Sequence, residues 1–561
     1  MKINTLISKQ TTLLLILAIS FATLFLPLTS LQAATLSDGM EASYVIGAGS
    51  DTQDFTSVAS GTTNALFANA NVRGLAYDVP NSRLFVADGV NHRVLVFNAN
   101  GLTGLPVDYV ADNVLGQADF TSGSQNRGGS AAANTLYNPT GLSYDPTGNR
   151  LFVSDASNQR VLVYDTASIS DGEAAVGVLG QADFTSTSAN RGGSTASTTI
   201  NSPDSLAFDD TNDKLFLSDK SNHRVLIYNV ASITDGEGAV NVLGQADFTS
   251  SSINRGGSAA STTMANPGGL EWDSANNRLY LGESSNFAAS NARVLIFDLS
   301  TTTDGEGAVN VLGQPDFTST TPANDQDSLG SIIGDVQLDA TNNRLFVTDV
   351  IYARIMVFDV ETITDGENAV NVLGQVNFTD AAANKGGSPA ADTLSGPGYM
   401  AYVTRDDLLY TTDGQNNRIL IFDLSATVSS SSEDTGRGYI HPPLCEATIT
   451  PSTITAGETA TLSWNTTWPT ENQNTYYAKV PGEGLYSSRV NSIAIQPKHS
   501  TNYVMTLFNL WGANFCEATV EVLDTEGEEV TSERNSILTA GVSNSPIVKA
   551  LMGFLSKLFT K

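Results

Sequence analysis

Short runs that alternate apolar and polar residues, four to a unit, recur through the first three quarters of this chain. In the second unit residues 139–145 (PTGLSYD) open a strand through a Pro turn, and Asn149-Arg150 lead into a second, LFVSD. A turn containing Asn158 precedes a third, Arg160–Asp165. The polar stretch SISDGEAAVG follows, and Val178-Leu179-Gly180 form a fourth. Runs this short, rich in Val, Leu, Phe and Tyr and parted by Gly, Asn and Asp, predict a four-stranded antiparallel sheet.

The fourth strand carries the clearest repeat. VLGQADFTS stands at 114–122, 178–186 and 242–250, and returns as VLGQPDFTS at 311–319 and VLGQVNFTD at 372–380. The intervals are 64, 64, 69 and 61 residues. Six units fit, with second strands beginning at Arg83, Arg150, Lys214, Arg278, Arg344 and Leu408. One small sheet does not bury two faces by itself, whereas six arranged radially bury each other's. No outer-strand motif follows the sixth unit. Its relative, Tyr44-Val45-Ile46-Gly47 with Asp54-Phe55-Thr56-Ser57, lies before the first. The N-terminal strand is therefore expected to complete the sixth sheet and close the ring, which protects the last edge. An open solenoid is the rival arrangement.

The segments N-P-x-G-L-x-x-D, N-R-L-F-V-x-D and N-x-R-V-L-V-F/Y-D resemble NHL repeats, a β-propeller module related to the six-bladed TolB-like group. The resemblance implies a six-bladed propeller over residues 44–425 that serves as a ligand-binding platform. A few relatives are lyases or hydrolases, so it does not fix the activity.

The formal charge of −30 disfavours nucleic acid and anionic lipid as partners. Residues 1–33 read as an export signal: Lys2 and Lys9 precede an apolar run from Leu13 to Leu26, with Ala33-Ala34 at the cleavage position. The expected location is extracellular, free or attached to the cell envelope. A retained signal anchor is the alternative. Cys445 and Cys516 are the two cysteines, and an oxidising compartment allows them to pair.

An acid closes every second strand (Asp88, Asp155, Asp219, Glu283, Asp349, Asp413) and an arginine opens every third (Arg93, Arg160, Arg224, Arg293, Arg354, Arg418). Recurrence in all six units favours a structural pin across the hairpin. The functional alternative is a ring of Asp88, Asp155, Asp219, Asp349 and Asp413 binding Ca²⁺, the one cofactor that the sequence offers. Specific recognition is expected where the symmetry breaks. The hairpin from Glu283 to Arg293 is five residues longer than its counterparts and carries Phe287, and Tyr352 replaces the Asn of the other hairpins. Glu283, Phe287 and Tyr352 are thus the candidate ligand-binding residues. The NRGGS loops look like turns that dock on the adjacent unit. His92 and His223 sit at equivalent turn positions, and no nucleophile elbow or HExxH helix is present, so no catalytic residue is assigned.

Residues 426–438 read as a linker and residues 439–524 as a small β-sandwich. Pro451, Ile454, Gly457, Leu462 and Trp464, then Thr501, Tyr503 and Leu507, resemble the pattern of bacterial Ig-like modules. That resemblance implies a spacer or adhesion module, with Cys445 before its first strand and Cys516 opening its last. Residues 525–545 read as a flexible tail. Residues 546–561 read as an amphipathic helix with Ile547, Leu551, Phe554, Leu555 and Leu558 on one face, suited to membrane or envelope contact.

The fold class is thus all-β: a six-bladed β-propeller of four-stranded antiparallel blades plus a small Ig-like β-sandwich. The expected function is extracellular, non-enzymatic recognition of a protein, peptide or glycan. A propeller lyase or hydrolase requires an asymmetric cluster of acids, His or metal ligands at one mouth of the channel. A self-assembling envelope protein is the third reading.

Overall fold

The computed structural model describes residues 36–47, 54–67, 72–284 (without 102 and 108) and 291–425, and seven shorter stretches between 444 and 523 are grouped below by strand. The export signal, the linker, the tail and the C-terminal helix read from the sequence lie outside the described residues. Contacts divide the chain into two units, Met1–Ser429 and Ser430–Lys561.

Among the described residues the first unit holds six four-stranded antiparallel sheets. The second of them comprises Pro139–Asp145, Arg150–Asp155, Arg160–Asp165 and Gly177–Leu179. The first strands of the six sheets are Val72–Asp78, Pro139–Asp145, Pro203–Asp209, Pro267–Asp273, Ile333–Asp339 and Pro397–Val403. Each packs on the next, and the sixth packs on the first, so they line a common axis. Leu, Val, Ile and Phe from both faces of each sheet fill the spaces between neighbours, as in the cluster joining Phe85, Val96 and Leu115 to Leu151, Val153 and Leu162. The aromatic residue before the closing Asp stacks on a ring of the preceding sheet: Phe85–Tyr144 at 5.8 Å, Phe152–Phe208 at 5.8 Å and Phe216–Trp272 at 4.9 Å between centroids.

The sixth sheet takes its outer strand from the start of the chain. Tyr44, Val45 and Ile46 pair with Ile421, Leu420 and Ile419. The preceding residues act as the SDG stretch does elsewhere. Asp38 Oδ1 accepts the Val372 N–H at 3.1 Å, as Asp171 accepts that of Val114 at 3.1 Å. Gly39 N–H reaches Val372 O at 2.9 Å, as Gly172 N–H reaches Val114 O at 2.8 Å.

Every sheet is pinned by one fully buried arginine. Arg224 Nε donates to Asp219 Oδ2 at 2.7 Å, Nη1 to Phe248 O at 2.6 Å, and Nη2 to Ala196 O and Thr199 O at 2.9 and 2.8 Å. One guanidinium thus ties its own hairpin, the turn after its outer strand and the connection from the preceding sheet. Arg93, Arg160, Arg293, Arg354 and Arg418 repeat this with Asp88, Asp155, Glu283, Asp349 and Asp413. The Phe of each DFTS segment supplies the carbonyl, and its Asp folds the turn: Asp247 Oδ1 accepts the N–H groups of Thr249 and Ser250 at 2.8 and 2.9 Å. The glycine before the segment is obligatory. Gly180 has φ +81°, and a Cβ there would lie 2.1 Å from Ile200 Cδ1.

The second unit has two sheets. Leu444–Thr450, Ala460–Thr467 and Ser492–Ile495 form one; Thr453–Thr455, Gly512–Leu523, Thr501–Asn509, Tyr477–Val480 and Gly484–Ser487 form the other. Ile449, Ile454, Leu462, Trp464, Ile495, Val520 and Val522 are buried. Cys445 lies within its strand rather than before it, and Cys516 lies within Gly512–Leu523 rather than opening it. Their side chains lie outside the described residues.

Removing one member of a buried pin leaves the other as an uncompensated charge. Asp219→Ala is expected to cost about 3–5 kcal/mol in urea unfolding of the first unit, and a loss near zero would remove the pin from its central role.

Candidate functional site at the axis

The hairpin acids do not reach a common centre. Each is closed by its own arginine, and Asp88, Asp155, Asp219 and Asp413 also accept the amide of a hairpin Asn at 2.8 Å. Burial pushes the carboxyls of Asp155, Asp219, Glu283, Asp349 and Asp413 up, and these donors oppose it. Among the described residues no group of three His, Cys, Asp or Glu side chains is arranged to hold a metal.

The asymmetric hairpins are placed differently from one another. Glu283 is fully buried and paired with Arg293, away from any surface patch. Phe287 lies outside the described residues. Tyr352 is partly exposed, with the Arg354 guanidinium 5.3 Å from its ring centroid. Its neighbours show what the Asn at this position does. Asn158 exchanges amide hydrogen bonds with Asn126 of the preceding NRGG loop, at 2.9 and 3.3 Å. Asn222–Asn190, Asn291–Asn254 and Asn416–Asn384 repeat the pair. The loop before Tyr352 lacks the NRGG Asn, so both members of that pair are missing together.

The NRGG arginines dock their loops on the adjacent sheet. Arg127 Nη2 donates to Gln117 O at 3.0 Å and to Gly172 O of the next sheet at 2.9 Å. His92 and His223 each accept a backbone N–H from the next sheet at Nδ1, from Asn138 and Asn266 at 3.1 Å. Burial lowers both imidazoles below their ordinary pKa, which suits that acceptor role.

The symmetry breaks at the axis. The two residues after the opening residue of the first strand are Arg73-Gly74, Thr140-Gly141, Asp204-Ser205, Gly268-Gly269, Gly334-Asp335 and Gly398-Tyr399. Neighbouring strands nearly touch here: a Cβ at Gly141 would lie 2.2 Å from Asp204 O. Across this level Tyr399 Oη of the sixth sheet donates to Asp204 Oδ1 of the third, and Lys220 Nζ donates to Asp204 Oδ2 at 2.6 Å. Burial works to raise the Asp204 carboxyl, but Lys220, Tyr399 and Arg73 together hold it below the ordinary value. The Asp335 carboxyl accepts the Met400 N–H at 2.9 Å, yet burial pushes it well above the usual range.

One layer further along the strands the axis opens into a cavity of about 250 Å³. Its wall carries Ala76, Ser143, Ala207 and Ala401 on four sheets, with Glu271 and Gln337 on the adjacent fourth and fifth. Leu75, Leu142 and Leu206 also line it, and the rings of Tyr77, Tyr144, Phe208, Trp272 and Tyr402 do so while remaining partly exposed. Gln337 Nε2 donates to Glu271 Oε2 at 3.2 Å, and Gln337 Oε1 accepts the Tyr402 N–H at 3.2 Å. Burial first, and the Asp335 carboxylate second, push the Glu271 carboxyl well above its ordinary value.

Residues 136–164 match the NHL repeat. The ring is a β-propeller. No curated protein matches the chain. Among solved structures, a gluconolactonase from Xanthomonas campestris shares 14% identity at a TM-score of 0.34, over 63% of this chain and 86% of its own. An auxiliary nutrient binding protein from Bacteroides ovatus shares 11% at 0.40, over 68% and 76%. A chain of a nidogen/laminin complex shares 14% at 0.32, over 59% and 95%. At these scores the similarities carry no function across.

The axial residues of the propeller escaped the sequence reading because each occurs once. The signal that would have found them is a bulky or charged residue in a first-strand position where most of the other units carry Gly, Ala, Ser or Thr, as at Asp204, Glu271, Asp335 and Tyr399.

A carboxyl raised on folding binds its proton more tightly folded than unfolded. Its stabilising effect is therefore full below the unfolded value, about pH 4, and is lost as pH rises towards the folded value. Glu271→Gln removes this loss. The variant is expected to gain on the parent by at most about 1.4 kcal/mol per pH unit above that point, in urea unfolding repeated across pH. A constant difference would mean that Glu271 titrates as in water.

Proposed function

We propose that this chain is a secreted or cell-surface binding protein that presents a six-bladed propeller, with an Ig-like module spacing the propeller from its attachment point. The observation that carries this reading is the division of labour among polar residues. The repeated charges are consumed inside the sheets in every unit, whereas groups that occur once meet at the axis, Asp204 with Tyr399 and Lys220 in one layer and Glu271 with Gln337 on the cavity wall in the next. Binding one ligand calls for one set of groups, and a repeat supplies it only where it departs from itself. Residues 546–561, with an apolar face and three lysines, supply an attachment segment. The bound partner in this reading is an extracellular protein, peptide or glycan.

A lyase or hydrolase is the second reading, because the asymmetric carboxyls Asp204, Glu271 and Asp335 are what an enzyme on this scaffold needs. Glu271 would then be the proton donor.

A glycan array and affinity capture from extracellular extract, both with the full-length chain and with and without Ca²⁺, test the proposal. A reproducible ligand is expected, retained when Ca²⁺ is chelated. Its loss in Trp272→Ala or Tyr402→Ala locates recognition at the axial mouth, and its loss in Phe287→Ala or Tyr352→Ala locates it at the irregular hairpins. No ligand, together with turnover of an ester, lactone or uronide panel, would replace binding with catalysis.

A further inference from the structure

The axial cavity is electrically incomplete. Glu271 is the sole carboxyl on its wall, and no lysine or arginine lines it among the described residues. The charged groups that act on Glu271 are Asp335 and Asp273, both acids. The six hairpin acids and Asp204 each have a cation, as Asp219 has Arg224 and Asp204 has Lys220 at 2.6 Å, whereas Glu271, Asp335 and Asp273 form no ion pair among the described residues. Holding a partly buried carboxylate without a counter-charge is costly, which favours the neutral form of Glu271. A cationic ligand changes that balance, because it brings the missing charge.

We propose that this cavity binds a small organic cation bearing a primary ammonium group, with Glu271 as counter-ion and Gln337 as second hydrogen-bond partner. The inference rests on the binding reading above and names its ligand chemistry. Gln337 Oε1 keeps a lone pair beyond the bond from Tyr402 N–H, and Glu271 as a carboxylate accepts from more than one donor. The remaining wall mixes Leu, Ala and aromatic side chains with the Ser143 hydroxyl, and the surface it offers is largely polar, which suits an ammonium head on a stem of a few carbons. At about 250 Å³ the space falls below the roughly 300–1,000 Å³ of drug-sized sites, which limits the occupant to a simple amine or one side chain. The net charge of −30 raises the local concentration of cations. Binding exchanges one charge for another: the ammonium enters, the Glu271 carboxyl loses its proton to the buffer, and the ion pair stays neutral overall. The ammonium comes either from a free amine or from a lysine presented by a peptide.

Isothermal titration of the full-length chain with n-butylammonium, near neutral pH and in two buffers of different ionisation enthalpy, tests this. Saturable binding is expected, with proton release up to one per site and affinity that rises as pH climbs out of the acid range. The neutral isostere 1-butanol is expected not to bind. Glu271→Gln, which keeps the shape, is expected to weaken binding by about tenfold or more, with its unfolding curve confirming an intact propeller. N-acetyl-lysine-N-methylamide separates the sources: tighter binding than butylammonium assigns the site to a partner's lysine, and equal or weaker binding assigns it to a free amine. Equal binding of 1-butanol, undiminished binding by Glu271→Gln, or no heat at millimolar butylammonium overturns the proposal. A macromolecular ligand captured equally by Glu271→Gln and by the parent leaves the binding reading standing while this one falls.

Discussion

Six guanidinium groups, each shut off from water, hold the first unit in register. A buried arginine is tolerated only when a carboxylate and several carbonyls surround it, and here those partners come from three separate stretches of chain. The constraint runs outward from the charge. The acid must end the second strand, the arginine must begin the third, and a turn must carry the Phe carbonyl back to it. The repeated DFTS segment, which looks like a motif for something, is the backbone side of this requirement. Its Asp shapes the turn, and its Phe packs on the core.

Because the pins fix the hairpins and the outer strands, the first strands carry less of the structural burden. They approach so closely at the axis that most units keep glycine there. Where a unit departs from this, the new side chain meets others from across the ring, as Tyr399 meets Asp204. The scaffold is thereby symmetric in what stabilises it and asymmetric in what it offers a ligand. The two demands are separated by radius, with fixed charges in the body of each sheet and variable ones at the centre.

Much of this architecture was legible in the sequence. The strand limits of the second sheet follow directly from its alternation and its Asn and Asp turns, and the buried pairing of Asp155 with Arg160 follows from their recurrence. The outer strand Tyr44–Ile46 was recognisable because its pattern is displaced from its proper unit. Asp204, Glu271 and Tyr399 were hidden for the opposite reason. A residue that occurs in one unit looks like drift until neighbouring strands are seen to bring it beside residues from units far along the chain. Tyr352 stands out in the sequence as a break in the repeat, but what the Asn it replaces does is seen only when Asn158 and Asn126 are found to be a pair. A pairwise constraint between distant loops leaves no periodic trace in either loop alone.

The borrowed strand has a consequence for how the ring forms. Tyr44–Ile46 pairs with Ile419–Ile421, so the earliest strand of the ring must wait for the latest. Five sheets are complete from local chain as it emerges, and the closing pair has the longest loop to search. Until it forms, Arg418 lacks the Phe55 carbonyl and one edge stays open. Ring closure is therefore the late, cooperative step, and the interval before it is when the chain is most exposed to strand exchange with another copy.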